Sequence, residues 1–581
     1  MSGEETIAVA ATASIWQEHC RSAVRKFVMN AVVIDNQPIV VPSGTAYQSG
    51  QTATATASDD GMGPEVAESR EEGDFSQVAQ IVASPPGAED AHALDIRAIS
   101  DAFSEQEIAC AFVLPDDQDP NREKIFDRII RAACHADIVV IDWYLKDTDP
   151  TLTKSVLTEI ARKDSSEKGR LRLFCVYTGQ TDLSDVTSEA ISALKMGGLS
   201  FSKESPEEGL AIGEAHYLIV VGKKEVKSAA LPAKLLDAFT NLADGILPAF
   251  AIAAVAAVRR NVHHIITCFS KELDAAYVAN RLITDPPSDV AQLMRELFAS
   301  ECDTAVGLEK VADKYLGTTA ITAWLNAKQK PSAAFKISEK NIDRNFINAL
   351  LANGLAGDHV KLADGTAFKI KEKQRQLISH ALHGGKEQSL EGERKFSRRV
   401  VLKRECYGNT KITSPEGWTP SLTLGTILRQ ERQEGEEKVV NYFYCITPAC
   451  DTVRLNGKTR TFLMFQLDEK TDKANLVLLE KGSQCKKLYG EPRPLNIRTF
   501  HFQGCPETGR VLATKVNSDT AGGIDFVFKS VDQPAIELQW LGEVRRNRAH
   551  REIAELNREW LRFGILESEF LRLAGKGLAE T

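Results

Sequence analysis

DIVVID, residues 137–142, is a short run of β-branched side chains closed at each end by a carboxylate. β-branched residues fit a pleated surface, and an unbroken apolar run of this length reads as a strand covered on both faces. The amphipathic stretch NREKIFDRIIRAACHA (121–136) precedes it, and TLTKSVLTEIARKD (151–164) follows with the same helical spacing. Further out lie the strands FVMNAVVID (27–35), ACAFVLP (109–115), LRLFCVYTG (171–179) and YLIVVGKK (217–224). Between them fall the helical patterns LDIRAISDAFSEQEI (94–108) and SDVTSEAISALK (184–195). Apolar strands alternating with amphipathic helices predict a doubly wound, parallel, five-stranded flavodoxin-like α/β domain over 28–230.

The rest of the chain has a different texture. A short helix is expected within 1–27, at SIWQEHCRSAVRKF (14–27). Residues 42–92, rich in Gly, Ser, Thr and acids without an apolar period, read as a loop or disordered insertion in the first domain. An α-helical region is expected over 231–330 and a mixed linker with helical segments over 331–395. From 396 to 540 runs such as RRVVLKRECY, VVNYFYCITPA and RTFLMFQLD predict an antiparallel β-rich domain resembling a small barrel, with a last helix in 541–581.

Composition limits the function. The chain has 581 residues, 43% hydrophobic and 26% charged, and Lys+Arg 71 against Asp+Glu 80 gives a net charge of −9. That length calls for several domains, and the acidic balance argues against a protein that coats nucleic acid over its whole surface. The eleven cysteines are scattered through apolar runs, as reduced thiols of a cytoplasmic protein would be. No signal peptide is read at the N-terminus. The longest apolar stretch, ILPAFAIAAVAAV (246–258), falls short of the about 20 residues a membrane span needs, so no membrane association is expected. Walker, GxSxG and HExxH signatures are missing, and a conventional enzyme is not expected.

In a parallel sheet of this kind the ligand site lies beyond the carboxyl ends of the strands. Those ends carry Asp35-Asn36, Asp142, Thr178 and Lys223-Lys224. A carboxylate beside a hard cation can take a phosphoryl group, and a hydroxyl and an ammonium can hold the phosphoryl oxygens. VVIDN (32–36), IVVIDWYL (138–145), FCVYTG (174–179) and IVVGKK (219–224) resemble, in order and context, the receiver domain of bacterial two-component response regulators. That resemblance implies Asp142 as phosphoacceptor, with Thr178 and Lys223 or Lys224 gripping the phosphoryl group. It also implies Mg²⁺ held by Asp35, Asn36, Asp142 and the backbone carbonyl of Tyr144. A histidine kinase or sensor protein would be the donor and an effector the recipient, with oligomers allowed. Where the family has two adjacent acids this chain has Asp35-Asn36, and the place of its aromatic switch residue holds Val220 or Val221. The domain plan is similar to atypical receiver proteins of bacterial phage-defence systems. The alternative is a receiver-like scaffold that binds protein partners, or nucleic acid through the C-terminal β domain.

Three other features of the sequence carry candidate chemistry. Cys445 and Cys450 in CITPACD, with Cys485, His501 and Cys505 downstream, are spaced too widely for a tight zinc pair and read as thiols in a sheet. RKFSRRVVLKR (394–404), six bases and no acids with Tyr407 and Trp418 following, reads as a charged edge strand or a nucleic-acid contact. His263-His264 read as part of a partly buried helical surface.

Overall fold

The computed structural model describes residues 3–40, 93–115 and 122–560, apart from 147, 168, 329–330, 332–333, 356, 409–416, 471–473, 481–483, 491–495 and 518–523. The expected insertion at 42–92 and the end of the chain beyond Trp560 lie outside these residues. The chain forms two compact units, 1–265 with 302–329, and 266–301 with 330–581. The helical segment 231–330 is therefore divided between them.

The first unit begins with α1 (Gly3–Phe27), longer than the 14–27 expected. It continues through β1 (Asn30–Ile34), α2 (Ile96–Glu105), β2 (Ala109–Val113), α3 (Arg122–Ala133), β3 (Ile138–Ile141), α4 (Thr151–Ser166), β4 (Arg172–Thr178) and α5 (Leu183–Met196). Then come β5 (Phe201–Ser205), β6 (Leu210–Gly213) and β7 (His216–Gly222). The sheet order is β2-β1-β3-β4-β7-β6-β5. The five predicted strands form its parallel part, and β5 and β6 add an antiparallel hairpin at the β7 edge. The sequence reading passed over that hairpin because β5 has three exposed positions in five and β6 only two buried ones.

Side-chain alternation divides the sheet into two dry faces. Val32, Ile34, Val139, Ile141, Phe174 and Val176 point toward α3, α4 and α5, meeting Ile129, Ile160 and Leu194. Val33, Val140, Cys175, Tyr177 and Val221 point the other way. They pack with Trp16, Cys20 and Val24 of α1, and with α6 (Leu231–Thr240) and α7 (Ile246–Arg260). Helix α7 contains the longest apolar stretch and buries Ala249, Ile252, Ala253, Ala256 and Ala257 in this core. Among the described residues no single helix is long and apolar enough to cross a membrane. After α8 (Val262–Thr267) and α9 (Asp274–Ile283), α10 (Ser288–Leu308) leads to α11 (Val311–Leu316) and α12 (Thr318–Ala327).

In the second unit α13 (Arg344–Asn353), α14 (Glu372–His383) and α15 (Lys386–Val401) precede β8 (Leu402–Glu405). Most of the basic run 394–404 is therefore helix, which corrects the expected strand. The segment is built of straight-chain helix formers, and Val400-Val401 alone suggested a strand. The strands of the large sheet that follow are β9 (Thr426–Glu434), β10 (Glu437–Cys445), β11 (Thr459–Glu469), β12 (Leu476–Leu479), β13 (Cys485–Tyr489), β14 (Ile497–Gln503), β15 (Thr514–Asn517), β16 (Ile524–Lys529) and β17 (Glu537–Val544). They form an antiparallel half-barrel in the order β12-β13-β11-β10-β9-β17-β16-β15, with β8 on β17 and β14 on β11. Helix α16 (Arg546–Trp560) follows, as the sequence predicts.

Candidate acidic pocket at the strand ends

Parallel pairing sets the depth of each acid. Asp35 N donates to Val113 O at 3.3 Å and Asp142 N to Ile34 O at 2.9 Å, so both residues extend the ladder by one step. Lys223 N donates to Thr178 O at 2.7 Å and does the same between β4 and β7. The side chains converge above the sheet. Lys223 Nζ lies 2.8 Å from Asp35 Oδ2 and 3.2 Å from Asp142 Oδ1. Asp35, Asp142 and Lys223 are only 2%, 6% and 9% exposed.

Two carboxylates and one ammonium leave this buried cluster one negative charge in excess. Burial pushes the Asp142 carboxyl up, Lys223 pulls it back and Asp35 adds to the rise, leaving it at about 6. Asp35 Oδ1 accepts from Gln37 N at 2.8 Å, an Asx turn that fixes the carboxylate. Asp142 Oδ2 accepts from Tyr144 N at 3.3 Å.

Of the other predicted residues, Thr178 is buried, and its Oγ1 accepts from Gln180 N at 3.2 Å. Asn36 is partly buried and its Oδ1 has no hydrogen-bond partner. Lys224 is exposed and stands outside the cluster, so the choice between the two lysines falls on Lys223. Two residues escaped the sequence reading. Thr153, in the first turn of α4, is fully buried and its Oγ1 donates to Asp142 O at 3.0 Å. Lys223 Nζ lies 5.7 Å from the centroid of the Tyr177 ring. The only signal for Tyr177 was its place next to Thr178 in FCVYTG.

The remaining candidates are dispersed. Cys445 is buried in β10 and Cys450 exposed, while His501 Nδ1 pairs with Asp532 Oδ1 at 2.6 Å. Among the described residues no group of three His, Cys, Asp or Glu side chains is placed to hold a metal ion. His263 and His264 are both exposed, with ring centroids 3.9 Å apart, not partly buried as expected.

A doubly wound sheet with a buried Asp–Lys–Asp cluster at its carboxyl edge is the arrangement of a signalling receiver. Residues 27–229 match the family model described as a response receiver domain, and this part of the chain is a receiver domain. No curated protein and no solved structure matched the chain. A receiver domain makes the chain response-regulator-like, in a class that works through a histidine kinase or an effector.

Proposed function

We propose that Asp142 accepts a phosphoryl group from a histidine kinase and that the chain relays this signal to its C-terminal part or to an effector. The observation that carries the reading is the single ammonium of Lys223 shared between Asp35 and Asp142. A carboxylate oxygen of Asp142 attacks phosphorus of the donor phosphoimidazole. The new O–P bond forms as the P–N bond breaks, and the imidazole leaves with a proton. The acyl phosphate carries more negative charge than the carboxylate it replaces. Lys223 then shifts its ion pair from Asp35 toward a phosphoryl oxygen, and Thr178 turns its hydroxyl to donate to another.

The donor set suits Mg²⁺, a hard cation that prefers oxygen ligands. Asp35, Asp142, the Tyr144 carbonyl and Asn36, with its unpartnered Oδ1, would hold it. When bound, it would offset repulsion between the carboxylate and the incoming phosphoryl oxygens. We place the protein in the cytoplasm, and the resemblance of its domain plan supports a role in defence against phage.

Incubating the full chain with acetyl phosphate and Mg²⁺ tests this. One phosphoryl adduct, lost in Asp142→Asn, is expected. Failure of the wild type to form an adduct, or an undiminished adduct in the variant, overturns it. One observation favours the alternative of a receiver-like scaffold, namely that Asn36 stands where a second acid would strengthen cation binding. Absence of an adduct would select it.

A further inference from the structure

Within the second unit lies a cavity of about 860 Å³, lined by the first half of α10, by β8 and β17, by residues 418–424 and 449–454, and by the start of α16. Its volume is in the range of ligand sites, about 300–1,000 Å³. The cations Arg295, Lys403, Arg404, Arg454, Arg510 and Arg546 line it, against only three acids, Asp289, Glu296 and Glu543.

The ion pairs show which charges remain. Arg510 pairs with Asp289 at 3.0 Å, and Arg546 with Glu296. Lys403 and Arg404 share Glu543, at 3.1 and 3.0 Å. The Arg454 guanidinium donates to the backbone carbonyl of Asp285, which neutralises no charge. Arg295 is exposed and forms no ion pair among the described residues. The cleft is thus positive in a chain whose net charge is −9.

An aromatic platform accompanies this charge. The Arg404 guanidinium lies 4.6 Å from the ring centroid of Trp418. Trp418 is half-buried and braced at steep angles by Trp540 (5.5 Å) and Phe526 (6.1 Å). Arg404 Nε is buried without a hydrogen-bond partner. A guanidinium layered on an indole can stack a planar base.

We propose that this cleft binds a nucleotide, its base against the Trp418–Arg404 pair and its phosphate on Arg295 and Arg454. Stacking on aromatic side chains combined with a basic groove is how proteins hold single-stranded nucleic acid without reading its sequence. A free nucleotide offers the same base and phosphate. The site is independent of the acidic pocket. It uses only Lys403 and Arg404 from the basic run 394–404.

The test uses the full chain with two probes, a fluorescein-labelled ten-residue oligo-dT followed by anisotropy and ATP followed by calorimetry. Binding of at least one probe is expected, weakened about tenfold or more by Arg295→Glu and also weakened by Arg454→Gln. Circular dichroism confirms that each variant is folded. If the oligonucleotide binds, the slope of log affinity against log salt should be shallower in Arg295→Glu, by about 0.7 for a lost phosphate contact. Oligonucleotide binding alone identifies a nucleic-acid strand as the source, and ATP binding identifies a free nucleotide. Failure of both probes, or binding untouched by either arginine variant, overturns the proposal.

Discussion

The hydroxyl of Tyr177 donates to the carbonyl oxygen of Val226 at 2.7 Å. Tyr177 is next to Thr178 at the end of β4, and its ring lies near the Lys223 ammonium. Val226 belongs to the turn that leads from β7 into α6. The bond therefore ties the pocket to the helix that follows, where the sequence offers Val220 and Val221 in place of an aromatic switch.

Replacing Tyr177 by Phe removes that bond and leaves a carbonyl without its partner, which should cost about 1 kcal/mol. Adduct formation on Asp142 should survive. Acetyl phosphate is expected to change amide exchange over residues 223–231 in the wild type, and that change should be smaller in the variant. An unaltered exchange response would show that the hydroxyl does not carry the signal.

The raised Asp142 carboxyl has a defined effect of pH. Its folded value of about 6 lies above the unfolded value of about 3.9. The folded state therefore holds the proton more tightly, and this group favours folding most below about pH 4 and progressively less as pH rises toward 6. The upper limit of that loss is about 3 kcal/mol. Asp142→Asn should accordingly raise the melting temperature at pH 8, and the gain should shrink as pH is lowered toward about 4. A difference that does not vary with pH would refute the assignment.

Lys223→Met keeps an unbranched side chain out to the ε position but leaves two buried carboxylates without the cation they share. Removing one partner of a buried pair costs about 3–5 kcal/mol. Urea unfolding at pH 8 should show a loss of that order, smaller at pH 5 where Asp142 is largely protonated. The double variant Lys223→Met/Asp142→Asn should lose less than Lys223→Met alone.

Arg172 is fully buried and reaches Asp164 through Nε at 2.8 Å and Nη2 at 2.9 Å. It also donates to the carbonyl oxygens of Ala133, Cys134 and Ala136, where α3 gives way to β3. Arg172→Leu should destabilise the protein by about 3–5 kcal/mol. A double-mutant cycle with Asp164→Leu should show strong coupling, because the second change removes the carboxylate that the first leaves stranded. Strictly additive losses would contradict it.

Much of the receiver was legible because its strands are unbroken apolar runs ending in polar residues. Asp35, Asp142, Thr178 and the pair Lys223-Lys224 could be read from those ends, but the choice of Lys223 over Lys224 could not. Thr153 and Tyr177 could not, since neither terminates a strand and each acts through a contact distant in sequence. The β5–β6 hairpin was missed because an edge strand with three exposed side chains lacks the apolar signature of its neighbours. Helix α15 was misread because two adjacent valines outweighed the helix-forming residues before them. The positive cleft was illegible for a different reason. Its arginines come from positions as far apart as 295 and 546, and no window along the chain brings them together.

Helix α1 carries a practical lesson for handling this molecule. Trp16 is almost fully buried, and its indole donates to Asp244 Oδ1 at 2.9 Å. Cys20, Ala23 and Val24 fill the same core as Leu235, Phe239 and Ile252. The family match runs only from 27 to 229. A gene fragment cut at those limits would strip one wall from the sheet and yield a sticky, poorly soluble product. A receiver grafted into another signalling protein should begin upstream of Trp16 and extend beyond Ala257.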